Sequence, residues 1–484
     1  MSPADFTALS PILCVAGTAV GVMLSIAVRR HHGVACGLTV LGLLAALAAL
    51  RWALPEVPVQ VTPLFTVDRY ALFYIGLILA TTLGVVLFSH GYLAQRTDRP
   101  EEYYLLLLLA TVGACALVAA SQFASFFLGL ELLSMALFAL IAYPESGRVP
   151  VEAALKYLIL AGAASAFLLF GMALIYAQLG TLAFAAMRAV APSAGSPLMD
   201  LGLSMVLIGV GFKLAIVPFH MWTPDVYQGA PAPVTAYVAT VSKGALFALL
   251  LRYFLQTAAG SAIPVVTGLG WIAVASMLAG NWLALLQPDV KRVLAYSSIA
   301  HLGYLLVAFL ALGALAIEAV TFYLVFYLAT MLAAFGIVTV LSGTGADAGK
   351  QGLEAYHGLF WRQPWLAASF TVVLLALAGI PLTLGFLAKF YVIVAAADRA
   401  SWGLIGALVV GSAIGLYYYL RIVVVMYREP VGAQTVVVPP WPARLALIAL
   451  TVFLVGFGIY PRPVIGLVQA AIGPEQAVWL VPGR

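Results

Sequence analysis

The sequence predicts an all-α polytopic membrane protein with about fourteen transmembrane helices. Three observations lead to this prediction. Only 8% of the 484 residues are charged, whereas a soluble domain carries about 25%. Hydrophobic residues make up 64% of the chain, and apolar runs of about eighteen residues or more recur along its whole length. This composition excludes a disordered protein, a soluble enzyme and a nucleic-acid binder, and a β-barrel would need short alternating segments instead.

The spans follow one another through short connections, so successive helices are expected to be antiparallel neighbours. An N-terminal segment, 1–100, holds predicted spans at 9–28, 35–54 and 70–92. The segment 101–260 holds predicted spans at 103–120, 123–142, 152–178, 200–218 and 233–256. The segment 261–430 holds predicted spans at 264–286, 293–313, 316–341, 365–397 and 402–427. A C-terminal segment, 431–484, holds the last span, 444–461, and a tail.

Two spans carry residues that interrupt a helix. The seventh runs into Pro218 and Pro224, and the twelfth contains Gly379, Pro381 and Gly385. A proline removes a helix hydrogen bond, and in lipid such a break persists only where protein or water satisfies the freed groups. Broken spans in corresponding places of two halves are typical of a transporter built from repeats. The halves would be spans 4–8 and 9–13; the alternative is that the prolines only kink packed helices.

The loop charges predict an orientation. If the N-terminus lies outside, the loops on the cytoplasmic side carry more lysine and arginine than the loops on the opposite side. Cytoplasmic loops of membrane proteins show this excess. Both termini are therefore expected on the outer side of the membrane.

Lysines inside apolar runs are the first candidates for chemistry. Four of them, Lys156, Lys213, Lys243 and Lys389, lie within predicted spans. Each costs about 2.5–3.5 kcal/mol at the bilayer centre even on the most permissive scale. A partner carboxylate, hydration or deprotonation must offset this cost. Because burial disfavours the charged form, an amine in such a place can exchange a proton near neutral pH.

Two carboxylates are candidate partners of these lysines. Glu131 lies near the middle of the fifth span, where a glutamate should be neutral or paired. Relative motion of Glu131 and a lysine would shift both proton affinities, which is a way to convert motion into proton movement. Glu152 lies four residues before Lys156, on the same helix face. For Lys156, a local ion pair or a snorkelling side chain is therefore an alternative to a relay role.

Two histidines are weaker candidates. His301 lies in the tenth span with Ser297, Ser298 and Tyr304 nearby, where it could bridge protons between the halves or serve only as a packed core residue. His220 lies in the break of the seventh span and could line its inner mouth. Four aromatic residues near span ends are explained by the interfacial belt; they are Tyr103, Tyr104, Tyr227 and Trp365.

No motif supplies energy or a redox centre to this chain. No Walker motif and no dinucleotide fingerprint occur in the sequence. Cys14, Cys36 and Cys115 lie far apart inside apolar runs and form no metal-binding pattern. We therefore expect no bound cofactor or metal, and we expect energy to arrive from a partner.

Four stretches make the family recognisable. They are 129–134, 152–157, 212–243 (with Lys213, His220, Trp222, Asp225 and Lys243) and 290–301. In combination they resemble the antiporter-like N subunits of bacterial proton-pumping NADH:quinone oxidoreductase, respiratory complex I. The resemblance extends over nearly the full chain and is strongest between about 100 and 400.

The resemblance implies a membrane-arm subunit with two inverted five-helix repeats and broken helices 7 and 12. It implies a hetero-oligomer with other membrane-arm subunits in the bacterial inner membrane, no cofactor in this chain, and NADH, FMN, iron–sulfur clusters and a quinone (ubiquinone is our expectation) in partner subunits. By matching motifs, Glu131 and Lys213 would be the coupled pair of the input half. Lys243 would connect the halves, Lys389 would serve the output half, and His301 would belong to the central polar axis.

Three alternatives remain from the sequence. A subunit of an Mrp-type sodium/proton antiporter and the M or L subunit of complex I share the family. Lys389 favours the N type, because a glutamate is expected there in the M subunit, and no long lateral helix of the L type follows the last span. The third alternative is a purely structural scaffold, in which the buried charges only fix helix packing.

Overall fold

The structure, a computed structural model, describes residues 2–143, 148–190, 196–257, 263–342, 352–429 and 439–477. Helices dominate these residues. The first seven are α1 (Pro3–Val28), α2 (His32–Ala53), α3 (Arg69–Leu93), α4 (Glu101–Ala119), α5 (Phe123–Ala142), α6 (Arg148–Leu179) and α7 (Phe184–Val190). The next seven are α8 (Pro197–Leu214), α9 (Trp222–Gly229), α10 (Ala232–Tyr237), α11 (Lys243–Gln256), α12 (Ile263–Leu285), α13 (Val290–Leu310) and α14 (Ala314–Leu341). The last six are α15 (Leu359–Arg362), α16 (Pro364–Ala378), α17 (Leu384–Asp398), α18 (Trp402–Tyr427), α19 (Trp441–Ile459) and α20 (Arg462–Ala477).

The prediction of an all-α polytopic membrane protein is confirmed. Thirteen helices within the described residues are long and apolar enough to cross a membrane. One of these, 232–256, joins α10 and α11 through a π-helical segment, Val238–Ser242. The predicted twelfth span is divided into two shorter helices, α16 and α17. Together with this divided crossing, the helices account for the fourteen spans expected from the sequence.

The centre of the molecule is formed by 232–256, α13 and α14. In their most apolar stretches 100%, 89% and 89% of the residues are buried, against 22% for α1 and 28% for α2. These central helices carry Lys243 and His301, so both side chains lie deep inside the protein rather than toward lipid. The outermost pair, α1 and α2, packs together and onto α4.

Both predicted breaks are present, and they have the same geometry. Helix α8 ends at Leu214, four residues before Pro218, and Ala215 follows in the left-handed conformation with φ 62°. Helix α16 ends at Ala378, and Gly379 follows with φ 85°. In each case the residue with positive φ donates to the carbonyl three residues back and the next residue donates to the carbonyl five residues back. This is the Schellman arrangement, which satisfies carbonyls freed at a helix end.

Several elements were not predicted. A small antiparallel hairpin, β1 (Val59–Thr62) and β2 (Phe65–Val67), fills the connection between α2 and α3. Helix α20 packs on α3 and α14 through Val464 and Val468. Its alternation of buried and exposed residues is that of an amphipathic helix, which a search for long apolar runs does not detect.

The expectation of an aromatic belt was wrong for three residues. Tyr103, Tyr104 and Tyr227 are fully buried between helices. Trp365 is half-buried and lies under the guanidinium of Arg444, 5.5 Å from its ring. The predicted segment boundaries at 260/261 and 430/431 lie outside the described residues.

Candidate functional site

Three of the four predicted lysines share one environment. Lys213, Lys243 and Lys389 are 5%, 1% and 7% exposed. Each amine lies over a tyrosine ring, 5.6, 5.3 and 5.2 Å from the ring centre, and each donates to a neutral oxygen. Among the described residues, none of the three forms an ion pair with a carboxylate within 4.0 Å. The ring faces and neutral oxygens can bind the ammonium form without fixing its proton in place.

Lys213 lies in the last turn of α8, beside the first break. Its Nζ donates to Ser134 Oγ at 2.6 Å, and its amine lies over the ring of Tyr157. The indole of Trp222 packs against Tyr157 and donates to the carbonyl of Phe212 at 2.9 Å. Because this carbonyl is at the broken helix end, the indole stabilises the break next to the amine.

Glu131 lies on α5, one helical turn from Ser134, so both side chains share a helix face. Its carboxylate accepts a hydrogen bond of 2.6 Å from Ser165 Oγ. Glu131 and Lys213 therefore occupy one polar region, yet no direct ion pair joins them. Ser134, bound to the lysine, stands next to the carboxylate along α5.

Lys243 lies at the start of α11, directly after the π-helical segment. Its Nζ donates to Ser298 Oγ at 2.7 Å, and Ser298 Oγ lies 2.6 Å from the hydroxyl of Tyr327. The ring of Tyr227, from α9, covers the amine on another side. Lys243 thus connects the break of the seventh span with residues of α13 and α14.

His301 is at the hub of a tyrosine cluster. Its Nδ1 is 2.7 Å from the hydroxyl of Tyr323, and its Nε2 is 3.3 Å from that of Tyr419. The ring of Tyr327, which contacts Ser298, lies 6.0 Å from the imidazole. His301 is 1% exposed, so it has polar partners on both ring nitrogens deep in the protein.

Lys389 lies on α17, the second half of the divided span. Its Nζ donates at 2.8 Å to the carbonyl of Ala378, the last residue of α16. Tyr304 lies between this amine and His301, with ring centres 5.4 Å apart for His301 and Tyr304. The hydroxyl of Tyr304 in turn accepts from Asn281 at 2.8 Å. The polar axis from Lys243 therefore reaches Lys389 through His301 and Tyr304.

Three tyrosines of this axis, Tyr323, Tyr327 and Tyr419, were missed in the sequence. Tyr323 and Tyr327 are four residues apart on α14, and therefore on one helix face. A pair of hydroxyls at that spacing inside an apolar span is a signal that sequence reasoning could have used. Tyr419 is brought in by α18, and nothing in its own sequence surroundings points to His301.

His220 lies in the segment that follows the first break. The residue is 7% exposed, and neither of its ring nitrogens has a hydrogen-bond partner among the described residues. The same holds for Thr223 Oγ1, one helical turn away. Buried polar atoms are nearly always satisfied by protein or water. The two side chains thus leave unsatisfied polar atoms in the segment that lies between Lys213 and Lys243 along the chain.

Lys156 is placed apart from the other lysines. Its side chain is 43% exposed and pairs with Glu152 at 2.8 Å and with Asp225 at 2.9 Å. Asp225 also accepts from Arg292 at 2.9 Å. Burial raises the pKa of Asp225, but the hydrogen bonds from Lys156 and Arg292 outweigh this effect and hold that pKa below its usual range. The local ion pair weighed for Lys156 is therefore present.

A metal site would need several His, Cys, Asp or Glu side chains close together in the described part of the chain. No group of three or more His, Cys, Asp or Glu side chains is arranged to bind a metal ion there. All three cysteines, two of them half-buried and Cys115 buried, are free thiols.

Comparisons with known proteins identify the family. The model of a family described as "NADH:quinone oxidoreductase/Mrp antiporter, TM" matches residues 120–415. The NADH-quinone oxidoreductase subunit N of Ectopseudomonas mendocina (strain ymp) is 47% identical over 480 residues, 96% of each chain. That of Methylococcus capsulatus (strain ATCC 33009 / NCIMB 11132 / Bath) is 48% identical over 481 residues, 98% of this chain and 96% of its own. The chain belongs to the subunit N family of NADH-quinone oxidoreductase.

A solved structure agrees with this assignment. A chain of respiratory complex I from Thermus thermophilus with bound aureothin is 34% identical, with a TM-score of 0.82, and the match covers 95% of this chain and 99% of that one. The predicted family and function are thus confirmed: the chain is a membrane-arm subunit of a proton-translocating NADH-quinone oxidoreductase, and it works in a hetero-oligomer with other membrane-arm subunits.

Proposed function

We propose that protons cross this subunit along Glu131, Lys213, Lys243, His301 and Lys389. The observation that carries the proposal is the shared environment of the three buried lysines: each is held by a neutral oxygen and a tyrosine ring, and no carboxylate of the described residues pairs with it. A fixed counter-ion would hold the ammonium permanently charged. Without a fixed counter-ion, the protonation state of each lysine depends on the charges that neighbouring groups and subunits bring near it.

The hydroxyl groups of the axis suit proton transfer. A serine or tyrosine hydroxyl both donates and accepts, so it can receive a proton on one side and release one on the other. Ser298 and Tyr327 provide this between Lys243 and the cluster around His301. An imidazole has the same capacity, with one nitrogen on each side of the ring. A positive charge that arrives at Lys243 would therefore change the electrostatic environment of Lys389 through groups that are already in contact.

We propose that water completes the path between Lys213 and Lys243. His220 and Thr223 present buried polar atoms that have no partner among the described residues, and ordered water is the usual partner of such atoms. His220 then contributes to the relay as a hydrated imidazole. Lys156 we place outside the relay, as part of an ion-pair cluster with Asp225 at the inner mouth of the break.

The paired breaks support two inverted five-helix repeats, 101–260 and 261–430, flanked by 1–100 and 431–484. Both breaks end in the same Schellman cap, and each has a functional lysine in contact with it or next to it. We propose that the subunit lies in the bacterial inner membrane with both termini on the periplasmic side. Cofactors would reside in partner subunits, and this chain would couple to them through electrostatics and motion.

The test replaces Lys213 by Met and, separately, Glu131 by Gln in the complete complex. Assembly is followed by native electrophoresis, and proton uptake by a pH-sensitive dye in vesicles during NADH oxidation. We expect both variants to assemble and proton translocation per NADH to fall. A structural scaffold would instead lose assembly, and unchanged translocation in both variants would refute the proposed path.

The antiporter alternative has its own test. Proton translocation by wild-type vesicles is measured with sodium and with potassium as the bulk cation, at equal ionic strength. Equal rates are expected, because the relay contains amines, hydroxyls and an imidazole and only one carboxylate to attract a hard cation. A strict requirement for sodium would contradict proton-only transport.

A further inference from the structure

A groove runs between the first two helices at the end where α1 passes into α2. It has a volume of about 440 Å³ and is lined by Gly21, Leu24, Ser25, Val28, Arg29, His31 and Val34. Its floor is open, because a side-chain carbon added at Gly21 would meet no atom within 4 Å. Leu24, Val28 and Val34 are 57%, 89% and 46% exposed. The groove is thus apolar along its length and basic at one end.

The basic end of the groove carries one positive charge that has no ion-pair partner among the described residues. Arg30 is paired with Glu102 at 2.6 Å, whereas the guanidinium of Arg29 has no hydrogen bond or ion pair with any described residue. His31, beside it, caps the first turn of α2 through its Nδ1. The amino end of α2 adds the positive end of a helix dipole at the same place. An anion that binds at this end of the groove would therefore contact Arg29.

We propose that this groove binds an anionic phospholipid, with the headgroup phosphate on Arg29 and an acyl chain along Gly21, Leu24 and Val28. The apolar length of the groove suits an acyl chain, and the single free guanidinium at its end suits the headgroup phosphate. Basic pockets between transmembrane helices at the cytoplasmic surface bind anionic headgroups in this way. The proposal is independent of the proton path, because α1 and α2 contribute none of its residues.

The occupant is a lipid rather than a protein segment for two reasons. The α1–α2 pair is the most exposed of the membrane helices together with α19, and the large apolar side chains that line the groove, Leu24, Val28 and Val34, are aliphatic rather than the aromatic anchors of protein interfaces. The groove is also small, and its volume of about 440 Å³ is on the scale of one lipid chain rather than of a helix. A neighbouring subunit covering this face would leave no lipid to detect.

The experiment uses a phosphatidylglycerol probe with a photoreactive acyl chain, and a phosphatidylcholine probe with the same chain. Each is added to the purified complete complex in phosphatidylcholine vesicles, and labelled peptides are mapped after illumination. Phosphatidylglycerol should label residues 21–34 of the wild type more strongly than phosphatidylcholine. In R29Q the preference should fall by about tenfold, the loss expected for one charge-assisted hydrogen bond.

Two further variants complete the design. R51Q removes an exposed charge from the opposite end of α2 and should leave labelling unchanged. G21L fills the groove without changing charge and should abolish labelling by both probes in this segment. Equal labelling by the two probes, an R29Q complex that labels like wild type, an equal loss in R51Q, or no labelling of the wild type would each overturn the proposal. NADH oxidation, measured in parallel, reports separately on the proton-path residues.

Discussion

At the scale of single residues, the buried amines depend on hydroxyl and carbonyl partners. Ser298 Oγ accepts from Lys243 and contacts the hydroxyl of Tyr327. It is fully buried, so no bulk water replaces it if it is removed. The same oxygen stabilises the ammonium and links it to the next group of the relay.

Replacing Ser298 by Ala should therefore affect both stability and proton transfer. A hydrogen bond to a charged group contributes about 1.5–3 kcal/mol, and proton translocation per NADH should fall because the Lys243–Tyr327 connection is broken. Proton uptake in vesicles and the midpoint of thermal inactivation measure the two effects. Ser125→Ala is the control, since Ser125 is buried and, among the described residues, its hydroxyl bonds only to the Gln122 carbonyl. Equal losses in both variants would argue against a relay role for Ser298.

At the scale of elements, the divided twelfth span depends on Gly379 and Gly385. Gly379 has φ 85°, and an added side-chain carbon would lie 2.8 Å from Lys389 Cδ. At Gly385 such a carbon would lie 1.8 Å from the Ala376 carbonyl oxygen. The two glycines let α17 approach the end of α16, and this approach sets the distance from Lys389 to the Ala378 carbonyl.

Gly379→Ala should strain the break and displace Lys389. The backbone strain costs about 1–3 kcal/mol, and proton translocation should fall more than NADH oxidation by the peripheral subunits. Gly162→Ala is the matched control, because Gly162 lies inside α6 with no atom within 4 Å of an added carbon. That variant should be slightly stabilised, by about 0.5–1 kcal/mol. A Gly379→Ala complex that pumps normally would show that this geometry is not required.

A buried ion pair joins two other elements. Arg252, 3% exposed, binds both oxygens of Asp68, the residue that caps the start of α3, at 2.7 and 3.0 Å. Arg252 lies near the end of the helix that carries Lys243. The pair therefore fixes the C-terminal end of a central helix to α3.

Asp68→Asn should destabilise the subunit strongly. Removing one partner of a buried pair costs about 3–5 kcal/mol, because the other charge is left uncompensated. Glu102→Gln, which breaks the exposed pair with Arg30, should cost less than about 1 kcal/mol. Thermal inactivation of the two variant complexes compares them; similar midpoints would mean that the Asp68–Arg252 pair is effectively solvated.

At the scale of the whole molecule, Asp225 ties α9 to α6 through Lys156 and to α13 through Arg292. These helices belong to both proposed halves. Because the pKa of Asp225 is held below its usual range, the carboxylate contributes stability above the unfolded value of about 3.9. That contribution is lost as the pH falls through the lower, folded value.

The thermal stability of wild type and Asp225→Asn should therefore differ most at neutral pH. The difference should shrink as the pH falls below about 4, because Asp225 is then protonated in the unfolded chain first and, below its lowered folded pKa, in the native protein as well. Thermal inactivation midpoints from pH 7 downward measure this. A difference that is constant with pH would mean that Asp225 acts through packing rather than charge.

Much of the architecture could be predicted from the sequence, because apolar length and helix-breaking residues act locally. The spans, both breaks and the buried lysines all follow from such local signals. The burial of Tyr103, Tyr104 and Tyr227 could not be predicted, since a residue facing another helix and one facing lipid have similar hydrophobicity. The hydroxyl partners of Lys243 and His301 likewise depend on how α13, α14 and α18 pack together, which no single segment specifies.

The most direct test of the central claim is the number of protons translocated per NADH by the complete complex carrying Lys243→Met in sealed vesicles. Methionine keeps the volume of the side chain and removes its proton. The proposed relay predicts an assembled complex with a lower proton yield than Lys156→Met, which changes only a half-exposed ion pair. A Lys243→Met complex with the full wild-type proton yield would contradict transfer through the buried amines.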